Sequence, residues 1–359
     1  MRTLAWAVAA FTILVVAMGA LGGSMTNRSS ESLLSGGGPS SPSSTPHVDG
    51  VVMLAEHKAF VKAYPIRDGN HANHIAARNA LAAEFAAAGL TVWRQPFTNG
   101  ISQENICAAK FGTTSPRVWV VVGGHLDTTT WDSLAGPDPA PGHRVSEGAY
   151  DDGSGLRMMA SLAKTWAGVP TPVSILFCGF DGEERGLQGA REVKRAMDEY
   201  QLPGGFPWAV DQTRGMIEMD MYGLNWPLRA PIWVDQNRAT LRSWIDDARI
   251  AQGVPNDMFR FQRITLGQSD YAHWMNAGIP TAFFISDFEE LGVPGTGQAP
   301  TIPVPGAKGA YPFWHQVDTW ETMTAMAGGD ATLLAAFQNG VDIVSETLAL
   351  FALHPEIAL

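Results

Sequence analysis

Several apolar runs of this sequence end on ionisable residues of one chemical character. The run containing Val173, Ile175, Leu176, Phe177 and Cys178 stops at Asp181-Gly182-Glu183-Glu184. RVWVVV over 117–122 runs straight into Gly123-Gly124-His125-Leu126-Asp127, and GMIEMDM over 215–221 carries Asp220 near its end. Tyr150-Asp151-Asp152-Gly153-Ser154-Gly155 opens a helical pattern, and His315 stands beyond a Pro/Gly-rich loop. Each segment alone has an ordinary explanation: a solvated acid pair, a hydrogen-bonded His–Asp pair, a turn before a helix. Gathered at one sheet edge, the same carboxylates repel one another and stay ionised only beside positive charge. No cluster of Lys or Arg accompanies the motifs, so divalent metal is the economical source of that charge. Two imidazoles with three carboxylates suit Zn²⁺ better than Ca²⁺ or Mg²⁺, which favour all-oxygen sets. Two zinc ions are balanced by Asp151, Glu184, Asp220 and a hydroxide, with His125 and His315 neutral. That leaves Glu183 free to take a proton.

The elements that would hold these residues follow from periodicity. Helices are predicted over 51–64, 74–88, 156–166, 191–200, 239–251, 269–277 and 330–353. Strands are predicted over 91–97, 104–111, 117–122, 173–178, 215–221, 230–234 and 281–285. The near-continuous apolar runs read as central strands buried on both faces. Strands alternating with helices imply an α/β fold, a three-layer α/β/α sandwich around a mixed, mostly parallel central sheet. Ligands in such sheets gather beyond the carboxyl ends of the strands, which is where these acids and histidines fall.

Composition narrows the classes. The chain has 359 residues and a formal charge of −11. That acidity, with no basic stripe, excludes a nucleic-acid surface. Cys107 and Cys178 both fall inside apolar strand-like runs and read as buried free thiols. Residues 1–23 begin with Met1-Arg2 and are apolar from Leu4 to Leu21 except for Thr12. They read as a signal peptide or membrane anchor, so the chain is expected to be exported: secreted, periplasmic or tethered. Residues 24–46 are Ser/Gly/Pro-rich and read as a linker, carrying the sequon Asn27-Arg28-Ser29. A single catalytic domain is expected over 47–359. Membrane contact is expected only through the N-terminal segment, and the sequence does not set an oligomeric state.

The ordered set GGHLDT at Gly123, GAYDDGSG at Gly148, DGEERGLQGA at Asp181, MIEMDM, GQSDYAHWMNAGIP at Gly267 and WHQVDT at Trp314 resembles the M28 family of zinc aminopeptidases. The resemblance implies a metallo-exopeptidase with two zinc ions, acting on peptide or protein N-termini. It implies His125 and Asp220 as ligands of one zinc, Glu184 and His315 as ligands of the other, and Asp151 as the bridging carboxylate, with a cis peptide to Asp152. Asp127 is similar to the acid that orients the histidine ligand. Glu183 is similar to the general base that activates water and protonates the leaving amine. The sequence departs from the family pattern at three places: His315 precedes Asp318 by three positions where most relatives have four, Tyr271 stands where many have His, and Trp314 replaces a Tyr. Residues 128–149 and 291–312 are expected to wall the pocket, with Trp131 and Trp314 as apolar contacts. Glutaminyl cyclases share the fold, use one zinc, and also show DGEE and a WH followed by Asp, so a cyclotransferase is the alternative. Dipeptidase and carboxypeptidase activities occur on the same scaffold, and a catalytically inactive binding domain is a further reading.

Overall fold

A computed structural model of the chain describes residues 45–129, 146–199, 212–224, 232–234, 238–254, 259–261, 269–286, 315, 317–357 and 359. The expected signal or anchor, nearly all of the linker, Trp131, Trp314 and most of the two pocket loops lie outside the described residues. The last linker positions are attached to the domain: Thr45 donates to Glu346 at 2.9 Å and Ser345 donates to the Pro46 carbonyl at 2.8 Å. Among the described residues no helix is long and apolar enough to cross a membrane.

Eight strands form one sheet: β1 (Thr91–Thr98), β2 (Ser102–Lys110), β3 (Ser115–His125), β4 (Val173–Phe180), β5 (Gln212–Met219), β6 (Ile232–Val234), β7 (Phe259–Phe261) and β8 (Thr281–Ser286). Their spatial order is β1-β2-β4-β3-β5-β8-β6-β7. The centre is parallel, with β3 between β4 and β5 and β8 beside β5. The antiparallel hairpin β1–β2 extends one edge onto β4, and β6 joins β8 antiparallel at the other. The sheet is therefore mixed and mostly parallel at its core, as the sequence implies.

Alternation along the apolar runs divides the two faces. Val120, Val122, Ile175, Phe177, Ile217 and Met219 point into one core, while Trp119, Val121, Leu176, Cys178 and Met216 point into the other. The first core is covered by α1 (Gly50–Ala63), α2 (Ala72–Ala87), α3 (Gly153–Trp166), α5 (Ala239–Ala251) and α8 (Asp330–Leu353). The second is covered by α4 (Gln188–Asp198) and the short α6 (Ala272–Asn276). These three layers match the expected architecture. α7 (Trp320–Met326) and β7 are not foreseen by periodicity; α7 is defined by a capping box in which Thr319 and Thr322 satisfy each other's backbone N–H.

The cysteines correct the sequence reading. Cys107 and Cys178 are not free thiols but a disulfide, with Cα atoms 4.1 Å apart. The pairing follows from topology: β2 lies antiparallel to β4, and the register sets these two residues directly opposite on the same face. Adjacency in sequence gives no hint of it, because β3 intervenes in the chain.

Candidate metal centre

β3, β4 and β5 run parallel and end together, with His125 opposite Phe180 and Gly123 opposite Glu218. His125, the Asp181–Glu184 loop and Asp220 are thus delivered to one edge by three separate strands. The start of α3 is packed tightly against that edge. A Cβ on Gly124 would lie 2.8 Å from the Leu156 nitrogen, and one on Gly155 would lie 2.1 Å from the Met219 carbonyl oxygen, so only glycine permits the approach. Asp152 caps α3 by accepting from the Gly155 N–H at 2.8 Å. Its carboxylate also accepts from the backbone N–H of His125 (2.9 Å) and of Met221 (3.2 Å), tying all three segments together. The Asp151–Asp152 peptide is cis, as the resemblance implies.

Asp151 stands between the two histidines. Its Oδ1 lies 3.0 Å from His125 Nε2 and its Oδ2 lies 3.3 Å from His315 Nε2. Asp220 Oδ1 is 3.7 Å from His125 Nε2, and Glu184 Oε2 is 2.9 Å from His315 Nε2. The structure thus brings together all five residues expected as ligands. Potential ligand atoms of His125, Asp151 and Asp220 lie within 4.8 Å of one another, as do those of Asp151, Glu184 and His315, and those of His125, Glu183 and Glu184. The shortened spacing before Asp318 does not remove His315 from the site: its backbone turns at φ 51°. Asp318 accepts from the N–H groups of Tyr150 (2.9 Å) and Asp151 (2.8 Å), so it fixes the bridging position from behind.

Asp127 faces His125 through both its backbone and its carboxylate. His125 Nδ1 faces the backbone carbonyl of Asp127 at 3.0 Å, while the Asp127 carboxylate lies at 3.6 Å. That carboxylate instead accepts from Glu183 N–H through Oδ1 (3.1 Å) and from Glu184 N–H through Oδ2 (3.2 Å). It steadies the loop that carries both glutamates.

The donor set fits a divalent cation. With Nδ1 donating to a carbonyl, the Nε2 lone pair of His125 points at carboxylate oxygens, an arrangement a cation between them would satisfy. Glu184 Oε1 and Asp220 Oδ1 are buried without a hydrogen-bond partner. Without that cation the imidazoles must carry the positive charge. Burial opposes it, but Asp127, Asp151 and Asp220 hold His125 well above its ordinary value. Asp151 and Glu184 likewise outweigh burial and raise His315 to about 10. Burial, then Asp151, pushes Glu184 up to about 8, and burial with Glu184, Asp220 and Asp270 nearby raises Glu183 well above the usual carboxylate range.

Four contributors escape the sequence reading. Arg67 is fully buried and donates to the carbonyls of Leu126 (2.7 Å), Glu147 (2.6 Å) and Gly148 (3.2 Å). One cation thus stands behind the motifs, supplied by a residue distant in sequence, and it is a single residue rather than a cluster. Asp318 enters the sequence reading only as a spacing. Glu218 and Asp270 lie inside quoted motifs without an assigned role; Glu218, two positions before Asp220, is the one whose placement strand alternation could have flagged. The Ser269 hydroxyl lies 2.8 Å from both the Glu218 and the Asp220 carboxylate, and its single hydrogen can be donated to one of them.

The model of peptidase family M28 matches residues 105–335 of this chain. Aminopeptidase YwaD of Bacillus subtilis is 26% identical over 198 residues, covering 54% of this chain but only 38% of that protein. The chain thus spans well under half the length of this curated relative. Among solved structures, an aminopeptidase from Aneurinibacillus sp. strain AM-1 superposes with a TM-score of 0.59 at 14% identity, covering 86% of this chain and 95% of that one. A glutaminyl cyclase of Bacteroides thetaiotaomicron superposes with a TM-score of 0.59 at 19% identity, covering 84% and 99%. At these identities the two structures establish the shared fold.

Proposed function

Because the chain belongs to peptidase family M28, we propose that it is a zinc-dependent exopeptidase, an aminopeptidase that releases N-terminal residues from peptides and holds two zinc ions. The observation that carries this reading is the placement of Asp151 between His125 and His315, with Asp220 and Glu184 at the outer ends. His125, Asp151 and Asp220 would hold one zinc and Asp151, Glu184 and His315 the other. Bound zinc lowers the pKa of water and polarises a carbonyl.

The chain's own residues supply the rest. Glu183 takes a proton from the attacking water and returns it to the leaving amine; it is the carboxylate of the glutamate pair not assigned to a zinc. Asp127 holds the glutamate loop through two backbone N–H groups, so Glu183 meets the scissile bond in a fixed position. Asp152 and Asp318 fix the backbone on either side of the bridging carboxylate. Export is part of the same proposal. The apolar start of the chain and the Cys107–Cys178 disulfide both suit an oxidising compartment.

The glutaminyl cyclase fold match and the His315–Asp318 spacing favour one competing reading, a single-zinc cyclotransferase. One experiment separates the two. Purified protein is given leucyl p-nitroanilide and a peptide with N-terminal Gln, and its zinc is quantified. Nitroaniline release with about two zinc ions per chain supports the aminopeptidase; cyclisation of the Gln peptide with about one overturns it.

A further inference from the structure

The loop that carries the two glutamates is flanked by residues that bend easily. Gly182 (φ 72°) and Gly186 (φ 98°) stand on either side of Glu183, Glu184 and Arg185, in the left-handed region that glycine enters without steric cost. Inside the loop the backbone closes on itself. The N–H groups of Gly186 and Leu187 donate to the Glu183 carbonyl at 2.8 and 2.9 Å, and that of Gln188 to the Gly182 carbonyl at 3.1 Å. These bonds make the triplet one unit, but they do not set its distance from the residues across the centre.

Two acids tie that unit to the strand end that carries His125. Asp127 accepts from the N–H groups of Glu183 and Glu184. Asp68 takes the next residue: Arg185 Nη2 donates to Oδ1 at 2.8 Å and to Oδ2 at 3.0 Å, and Nε donates to Oδ1 at 3.2 Å. The Asp68 side chain is 7% exposed and that of Arg185 22%, so the fork is sheltered rather than a solvated surface pair. Asp68 lies between α1 and α2, and this connection is laced to the end of β3. Arg67 N–H donates to Thr128 Oγ1, and Thr128 N–H to the Arg67 carbonyl, both at 2.9 Å. Ile66 donates its N–H to the Ser146 carbonyl at 3.0 Å and is held at φ 59°, which a β-branched residue keeps only where its surroundings impose it. Three successive loop residues are thus held by two acids, both anchored at the end of β3.

We infer that Asp68 and Arg185 are positioning residues, whose ion pair sets the glutamate loop against the His125 strand end and so aims Glu183 at the attacking water. The inference rests on the reading of the centre as an exopeptidase with Glu183 as its base, and it names the pair that aims that base. Neither residue touches a reacting atom. Arg185 acts through the backbone it shares with Glu183 and Glu184, and Gln188 Nε2 holds its carbonyl at 2.7 Å from the other side.

The test uses Asp68→Asn, Arg185→Gln and the two together. Amide hydrogen exchange is followed in the zinc-free proteins, and kcat and KM on leucyl p-nitroanilide in the zinc-loaded ones. In each single variant the amides of residues 183–188 should exchange about ten- to a hundredfold faster, while β4 stays as protected as in the wild type. kcat should fall by about the same factor, since a displacement of about 1 Å costs on the order of a hundredfold, with KM within about twofold. The double variant should be no worse than the poorer single one, because one interaction is removed either way. Unchanged loop exchange or unchanged kcat in the single variants overturns the inference. So does a double variant that loses the product of the two single factors, or a loss of protection that spreads through β4, which marks a merely structural pair. Failure of the exopeptidase reading shows separately, as absent nitroanilide release by the wild type, while loop exchange still decides whether the pair holds the loop.

Discussion

Asp127→Asn keeps the shape of the side chain and exchanges one oxygen for an NH₂ group, yet the structure predicts a large effect. The carboxylate, 2% exposed, uses both oxygens: one accepts from Glu183 N–H at 3.1 Å, the other from Glu184 N–H at 3.2 Å. An amide has only one acceptor oxygen, so whichever way it turns, one N–H faces an NH₂ group. The loss is one charge-assisted hydrogen bond and the weakening of a second, about 1.5–3 kcal/mol for the first alone. If that energy is what holds Glu183 in place, turnover falls by roughly ten- to 150-fold at 1.36 kcal/mol per tenfold. Zinc should be retained, because His125 meets Asp127 through a backbone carbonyl that the substitution keeps. The assay is saturating leucyl p-nitroanilide turnover beside zinc content and a thermal unfolding curve. Wild-type turnover with unchanged unfolding would refute the loop-holding role. Loss of zinc would show instead that the carboxylate acts on the imidazole 3.6 Å away.

Other substitutions test neighbouring parts of the account. Glu183→Gln should keep its zinc and lower turnover by about 10²–10⁴; an active variant rules out the base assignment. Glu184→Ala should lose zinc and stability, because His315 loses its partner at 2.9 Å and the second ligand group loses a carboxylate; unchanged zinc content contradicts the division of roles between the two glutamates. His57 is fully buried, its Nε2 lies 2.7 Å from the Ala149 carbonyl, and burial above all pushes its pKa down to about 3. The unfolded ring binds its proton near pH 6.5 and the folded one does not, so stability should fall as pH drops from 6.5 towards 3, by up to ~5 kcal/mol. Denaturant titrations of His57→Gln should show a flatter pH dependence over that window, and an equally steep one would exclude His57 as the cause. The Cys107–Cys178 disulfide closes a loop of sequence separation 71, worth about 4 kcal/mol in chain entropy; identical denaturation midpoints with and without reductant would remove it from the stability of the fold.

The strand ends were legible because each is a contrast written into neighbouring residues. Val118 to Val122 demand burial, His125 and Asp127 demand polar partners, and only a sheet edge satisfies both at that spacing. What the chain hid is set by packing between distant segments. The disulfide depends on β2 crossing to β4. Arg67 has no flanking pattern to mark it, and its role exists only once the strand-end carbonyls converge around it. α6 is shorter than its helical periodicity suggests, and the N–H groups of Asp270 and Tyr271 just before it are accepted by Glu218 from a distant strand.

Arg67 is one buried cation behind the motifs, not a cluster, and metal still has to supply the rest of the positive charge. A buried guanidinium beside Asp127, Asp151, Asp152 and Asp318 could in principle supply the missing positive charge. Its geometry says otherwise. Burial lowers its pKa to about 10 despite those four acids. Its N–H groups are directed at backbone carbonyls, which makes it a clamp on the strand-end loops. A single cation also cannot neutralise Glu183, Glu184, Glu218, Asp220 and Asp270, and none of these is among the acids acting most on Arg67. Two ligand-set oxygens left without a hydrogen bond, Glu184 Oε1 and Asp220 Oδ1, belong to its outer ends, one on each side of Asp151. A single fixed charge would leave one of those ends unsatisfied. Two cations flanking the shared carboxylate would satisfy both, and that is the arrangement the zinc measurement decides.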